Sequence, residues 1–230
     1  MGKQETVSEQ YLKQVISAFK NAADPEAASA MEKYMRNKFK FYGITSPTRK
    51  ELSKSFFSKS TLPPFEEIPA IVKHLWNLPQ RELHYFAMEL MAKYKKQFEP
   101  DTIELIEFMT LNNSWWDTVD YIAAHLAGAY FQKFPDKTNS ITGKWNHSDN
   151  FWLQRMSLLF QLKYKDKTNT ELLSKYIRHL AREKEFFIRK AIGWMLREYS
   201  KTNPKFVKKF IDENELSALS KKEGLKRIRQ

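Results

Sequence analysis

The heptapeptide Ser114-Trp115-Trp116-Asp117-Thr118-Val119-Asp120 crowds two tryptophans and two carboxylates into two helical turns. On a helix, Trp116 and Asp120 stand four residues apart and project from one face, one turn apart. An indole face attracts cationic groups, and a carboxylate fixed beside it stabilises positive charge that builds up while a bond breaks. Ser114 is a good N-cap for such a helix. Two further sets join it: Trp152 with Arg155 at i, i+3, and Lys190, Trp194 and Arg197 on one face of a helix opened by Phe186 and Phe187. Basic side chains interleaved with aromatics suit a phosphate backbone with its sugars and bases. Structural roles compete, since tryptophans at helical spacing also build cores and Gly193 beside Trp194 suggests a close helix contact.

Other chemistries lack their residues. The chain has no cysteine, which removes disulfides, thiol nucleophiles and thiolate metal sites, and fits a reducing compartment. His74, His84, His125, His147 and His179 show no HxxxH or HExxH spacing, so no metal site is expected. No GxGxxG or P-loop pattern occurs, so no nucleotide cofactor is expected, and no GxSxG elbow supports a serine triad.

The elements that must position these residues read as helices. With 230 residues, 42% of them hydrophobic, a core forms without staples. Six glycines, nine prolines and no sustained Val/Ile/Thr alternation predict an all-α protein. Lys and Arg number 39 against 27 Asp and Glu, a net +12 spread along the chain, which points to a polyanion: nucleic acid first, acidic membrane second. The N-terminus lacks an apolar h-region and no uncharged apolar run is long enough to span a bilayer, so a soluble, cytoplasmic protein is expected, and Gly2 after Met1 is read as chance.

Thr6-Val7-Ser8-Glu9 forms a capping box for a first helix with Val7, Tyr11, Val15 and Phe19 at i+4 spacing. Asp24-Pro25 caps a second helix running towards Phe39, and Ser46-Pro47 opens a third. A fourth covers Phe65 to Trp76, shortened or bent by Pro69. Pro79, Pro100, Asn150 and Asn203-Pro204 mark further starts, and Ser220-Lys221-Lys222-Glu223 reads as a second capping box. The basic run Lys205, Lys208, Lys209, Lys221, Lys222, Lys226, Arg227 and Arg229 is either a DNA-binding end or a solvated cap.

Segments shifted by about 35 residues align without gaps over three steps. Tyr85, Asp120, Arg155 and Lys190 share one column, and Leu83, Thr118, Leu153 and Ile188 a second. Tyr94, Ala129, Tyr164 and Tyr199 form a third; Trp116, Phe151 and Phe186 a fourth, with Arg81 at its start. One helix pair per period predicts an α-solenoid of HEAT-like repeats: a single domain over 1–230, with capping helices to about 45 and repeats from about 46. The first column is polar where a core column would be apolar. Stacked units bring Asp120 and Arg155 onto adjacent helices about 10 Å apart, to share a ligand or to bridge each other.

The stretches Tyr34-Met35-Arg36-Asn37-Lys38-Phe39, Phe41-Tyr42-Gly43-Ile44, Pro47-Thr48-Arg49, Ser114 to Asp120, Ser148 to Arg155 and Lys190 to Tyr199 resemble the AlkD-type DNA glycosylases, the HEAT-like-repeat members of the DNA alkylation repair family. The resemblance runs from about Ala30 to Glu223. It implies a basic concave face that holds duplex DNA and a monofunctional, monomeric enzyme that excises cationic N7- and N3-alkylated purines. Motif by motif, it makes Asp120 the catalytic aspartate, Trp116 and Trp194 the aromatic contacts to the lesion-bearing nucleotide, and Arg155 the essential arginine. Tyr34 falls near the lesion, and Trp152, Lys190 and Arg197 are expected at the DNA. It also implies that the lesion stays in the duplex, without the base pocket that glycosylases generally use. Two rival functions are a non-catalytic DNA-binding repair protein and an adaptor for an acidic protein.

Overall fold

The first two helices and the last five begin where a side chain accepts from otherwise orphaned N–H groups. The computed structural model describes residues 6–228; Gly2 and Arg229 lie outside the described residues. The protein is all-α and divides into two compact units, Met1–Gln97 and Phe98–Gln230, a boundary inside the run of repeats.

In the first unit, α1 spans Val7–Asn21, α2 Pro25–Tyr34, α3 Ser46–Lys54, α4 Ile68–Trp76 and α5 Arg81–Lys93. The capping box at Thr6 and Glu9 is formed, and Tyr11, Val15 and Phe19 are buried. Val7, in the first turn, is exposed, so the apolar stripe begins one turn later than expected. Asp24 caps α2 by accepting from Glu26 and Ala27 N–H. The helix ends at Tyr34 and does not run on to Phe39, because Arg36 and Asn37 adopt φ of 57° and 55°, a left-handed conformation that a right-handed helix cannot continue. A 3-10 turn at Phe65–Glu67 precedes α4, and Pro69 sits in the first turn of the α-helix, where its missing N–H costs nothing. The loop before α3 is tied to α5 by buried Glu82, which accepts from the N–H groups of Tyr42, Gly43 and Ile44 at 3.0, 2.9 and 3.1 Å. Gly43 has φ of 90°, and a Cβ there would lie 1.9 Å from the Asp24 carbonyl oxygen.

In the second unit, α6 spans Thr102–Leu111 and α7 Trp116–Tyr121. A π turn at Ile122–Ala127 leads directly into α8, Gly128–Lys133. Then follow α9 Thr138–Asn146, α10 Phe151–Leu159, α11 Thr170–Leu180, α12 Phe186–Tyr199, α13 Pro204–Glu213 and α14 Ala218–Gly224. The helical repeat is visible in the starts of α5, α7, α10 and α12, at Arg81, Trp116, Phe151 and Phe186. The π turn absorbs one extra residue. Tyr94 Oη donates to the Pro63 carbonyl at 2.5 Å, and the same task in the next repeat falls to Tyr130, which donates to Pro100 at 2.7 Å, one place beyond Ala129 of the column. No helix among the described residues is long and apolar enough to cross a membrane.

Two expected caps have other roles. Ser114 Oγ donates to the Thr110 carbonyl at 2.6 Å and closes α6, leaving Trp115 at the N-cap position of α7. Ser217 caps α14, so Ser220 lies inside that helix and donates to the Arg189 carbonyl of α12 at 2.8 Å. At this crossing a Cβ on Gly193 would meet Glu223 Cβ at 2.5 Å and the Ser220 carbonyl oxygen at 2.9 Å. Gly193→Ala therefore forces α12 and α14 apart, and urea unfolding should show a loss of about 1–3 kcal/mol. An unchanged midpoint would contradict this close approach.

Candidate active site

The site is built on an aromatic floor. Trp115 enters α7 in an extended conformation and is buried, with ring centroids 5.9 Å from Trp152 and 5.3 Å from Phe187. Trp152 and Phe187 lie 5.0 Å apart, so three helix N-termini share one cluster. Side chains lock two of those ends. Asn150 accepts from Trp152 and Leu153 N–H at the start of α10, and Glu185 accepts from Phe187 N–H at the start of α12.

With these ends fixed, Trp116 and Asp120 stand one turn apart on α7, both partly exposed. Arg155, one turn into α10, grips Asp120 with two parallel hydrogen bonds: Nε donates to Oδ1 at 2.7 Å and Nη2 to Oδ2 at 2.9 Å. Its remaining Nη1 donates to the Phe187 carbonyl. The Arg155 side chain is 5% exposed and that of Asp120 14%. Every nitrogen of the guanidinium thus serves a protein acceptor, an arrangement suited to orienting a carboxylate more than to clamping a phosphate. Burial pushes the Asp120 carboxyl above the ordinary aspartate range, opposed by the charge and hydrogen bonds of Arg155 and aided slightly by Asp117. A largely buried carboxylate held by a fixed guanidinium, with part of its surface still exposed, can face developing positive charge without reorganising.

The other expected residues are placed less uniformly. Trp194 is partly exposed on α12, two turns beyond Phe187 and on the same face. Lys190 and Arg197, flanking it, both donate to Glu223 of α14, at 3.2 and 2.9 Å. Trp152, expected to touch DNA, is 6% exposed and packs against Trp115 and Phe187. Tyr34 is 73% exposed at the end of α2, in the first unit.

Sequence reasoning missed Trp115, Phe187 and Glu223 as working parts. Trp115 and Phe187 each adjoin a residue that was singled out, and their aromatic doublets were the available signal. Glu223 was read as part of a capping box, and two of its three partners, Lys190 and Arg197, lie on α12, where local spacing does not show them.

Comparison with known proteins bears on the whole chain. Residues 15–228 match the sequence profile described as DNA alkylation repair enzyme. Among solved structures, the chain is similar to a predicted DNA alkylation repair enzyme from Enterococcus faecalis, with 34% identity, a TM-score of 0.84 and coverage of 90% of this chain and 97% of that one. Comparison with curated proteins gave no match. A profile that spans nearly the whole chain, and a solved relative 34% identical over 90% of it, show that the chain belongs to the DNA alkylation repair enzyme family.

Proposed function

We propose that this chain is a monofunctional DNA glycosylase that releases cationic N7- and N3-alkylated purines from duplex DNA. The observation that carries the reading is the pair Asp120–Arg155: a carboxylate held at 2.7 and 2.9 Å by a buried guanidinium, one turn from Trp116, with 14% of its surface open. Alkylation at N7 or N3 gives the base a fixed positive charge. The base therefore leaves with the glycosidic electron pair and becomes neutral, so no general acid is required. The sugar left behind is oxocarbenium-like. Asp120 stabilises that cation and takes the proton of the water whose oxygen bonds to the anomeric carbon. Trp116 and Trp194 hold the cationic nucleotide by ring-face contacts worth about 0.5–2 kcal/mol each. Tyr34, exposed, is the proposed first-unit contact to DNA. No lysine stands in the motif as a Schiff-base nucleophile, so the strand is left uncut.

The direct experiment is base release from N-methylated duplex DNA against undamaged duplex. Release of 7-methylguanine or 3-methyladenine supports the proposal; none from either substrate overturns it. One observation favours a second reading. A carboxylate with both oxygens taken by an arginine is also what a structural bridge looks like, and a non-catalytic DNA-binding protein on this fold would then bind methylated duplex without releasing base.

The direction of the Asp120 shift predicts a pH dependence. Its acid form persists to higher pH than that of a free aspartic acid, about 3.9, so release should fall on acidification with a midpoint above that value. Because the leaving base is already charged, an acid limb in the single-turnover rate reports on the protein and not on the lesion. An acid limb at or below the free-aspartate range would remove Asp120 as the titrating group.

A further inference from the structure

Two cations of α12 and one from the turn after α14 converge on one carboxylate. Glu223, buried on α14, accepts from Lys190 at 3.2 Å, Arg197 at 2.9 Å and Lys226 at 2.6 Å. One negative charge shared among three positive ones leaves a surplus. The geometry sorts them by depth: the Glu223 side chain is 7% exposed, whereas Lys190, Arg197 and Lys226 keep 35, 29 and 49%. The acid is thus at the back and the cations face water. Led by the hydrogen bond from Lys226 and joined by Lys190, with burial opposing, these cations hold the Glu223 carboxyl below its ordinary range, so the hub stays charged. On the solvent side, Arg197, Lys226 and Arg227 line an open hollow of about 460 Å³ together with Glu198. Both Glu198 oxygens are already engaged by Lys201, at 2.6 Å.

We propose that this hollow binds a backbone phosphodiester of duplex DNA, with Glu223 as the positioning residue that sets its cations. The proposal rests on the reading that the chain binds DNA. A long basic side chain loses rotamer freedom when a ligand immobilises it. Here Glu223 has restrained Arg197 and Lys226 beforehand, so a phosphate meets donors already in place. An arginine fork with two neighbouring cations matches the non-bridging oxygens of a phosphate. The hollow also divides the C-terminal basic run. Lys226 and Arg227 line it together with Arg197, whereas Lys209 pairs along α13 with Glu213 at 3.7 Å.

The test is equilibrium binding of the full chain to undamaged duplex DNA over a range of salt. Lys226→Ala/Arg227→Ala is compared with Lys163→Ala/Lys167→Ala, which removes the same charge from exposed positions outside the hollow. Two lost phosphate contacts should weaken binding about tenfold at moderate salt and flatten the log–log salt slope by about two, with much smaller changes in the control. Because removing Lys226 also removes a tie to α14, Arg227→Ala alone is the second variant. It should flatten the slope by about one with an unaltered unfolding midpoint. The proposal falls if both variants match the control while wild type binds duplex and releases alkylated base. A wild type that binds duplex with the expected variant effects but releases nothing would sink the glycosylase reading and leave the phosphate site standing. A wild type that does not bind duplex sinks both.

Discussion

Asp120→Asn is expected to slow single-turnover release of 7-methylguanine from methylated duplex DNA by at least about 100-fold, with duplex binding held within a few-fold. The substitution keeps the shape of the side chain and removes the charge that faces the sugar. It also turns an amide towards Arg155, where Oδ1 and Oδ2 each accept a hydrogen bond in the wild type, so one donor there loses its acceptor. Release has therefore to be measured on protein whose unfolding curve confirms that it is folded under assay conditions. The phosphate contacts proposed at Arg197, Lys226 and Arg227 do not involve Asp120, which is why affinity and rate should separate. Equal release by the variant and the wild type would take Asp120 out of the mechanism and leave the pair as a structural bridge.

Arg155→Ala should cost about 3–5 kcal/mol of unfolding free energy at neutral pH, the usual penalty for leaving one member of a buried ion pair behind. The change removes both hydrogen bonds to Asp120 and the donor to the Phe187 carbonyl together. It also removes the main influences that hold the Asp120 carboxyl down, so burial acts almost unopposed and the acid limb of base release should move towards neutral pH. Arg155→Lys keeps a positive charge but not the two-pronged grip, and should recover part of the stability and little of the rate. In a double-mutant cycle, Asp120→Asn and Arg155→Ala should be strongly non-additive in both stability and rate. Wild-type stability in Arg155→Ala would mean that the carboxylate is far better hydrated than its 14% exposure indicates.

These expectations draw on parts of the molecule that were not equally evident from the chain. The repeat was: aromatic or basic residues at 81, 116, 151 and 186 recur at one interval, and each begins a helix. The same interval put Asp120 and Arg155 in one column, and they do meet. That inference works because a repeat converts a long-range contact into a regular spacing, so neighbours in the column become neighbours in space. It fails one step later. Lys190, next in the column, pairs with Glu223, because Arg155 is already committed to Asp120 and two cations do not attract.

What the sequence alone determined is local or periodic: the all-α class, most helix starts from their prolines and capping side chains, and the Trp116–Asp120 face. Each follows from interactions within a few residues or from a fixed period. Tertiary structure decided the rest. It turned Trp152 into packing, moved Ser114 from cap to closure of α6, inserted a π turn after Tyr121, and gathered three cations around Glu223. Each of these depends on which non-adjacent helix competes for the same side chain or the same space. Spacing along a chain does not specify that competition, because burial and pairing energies are settled only when the helices pack.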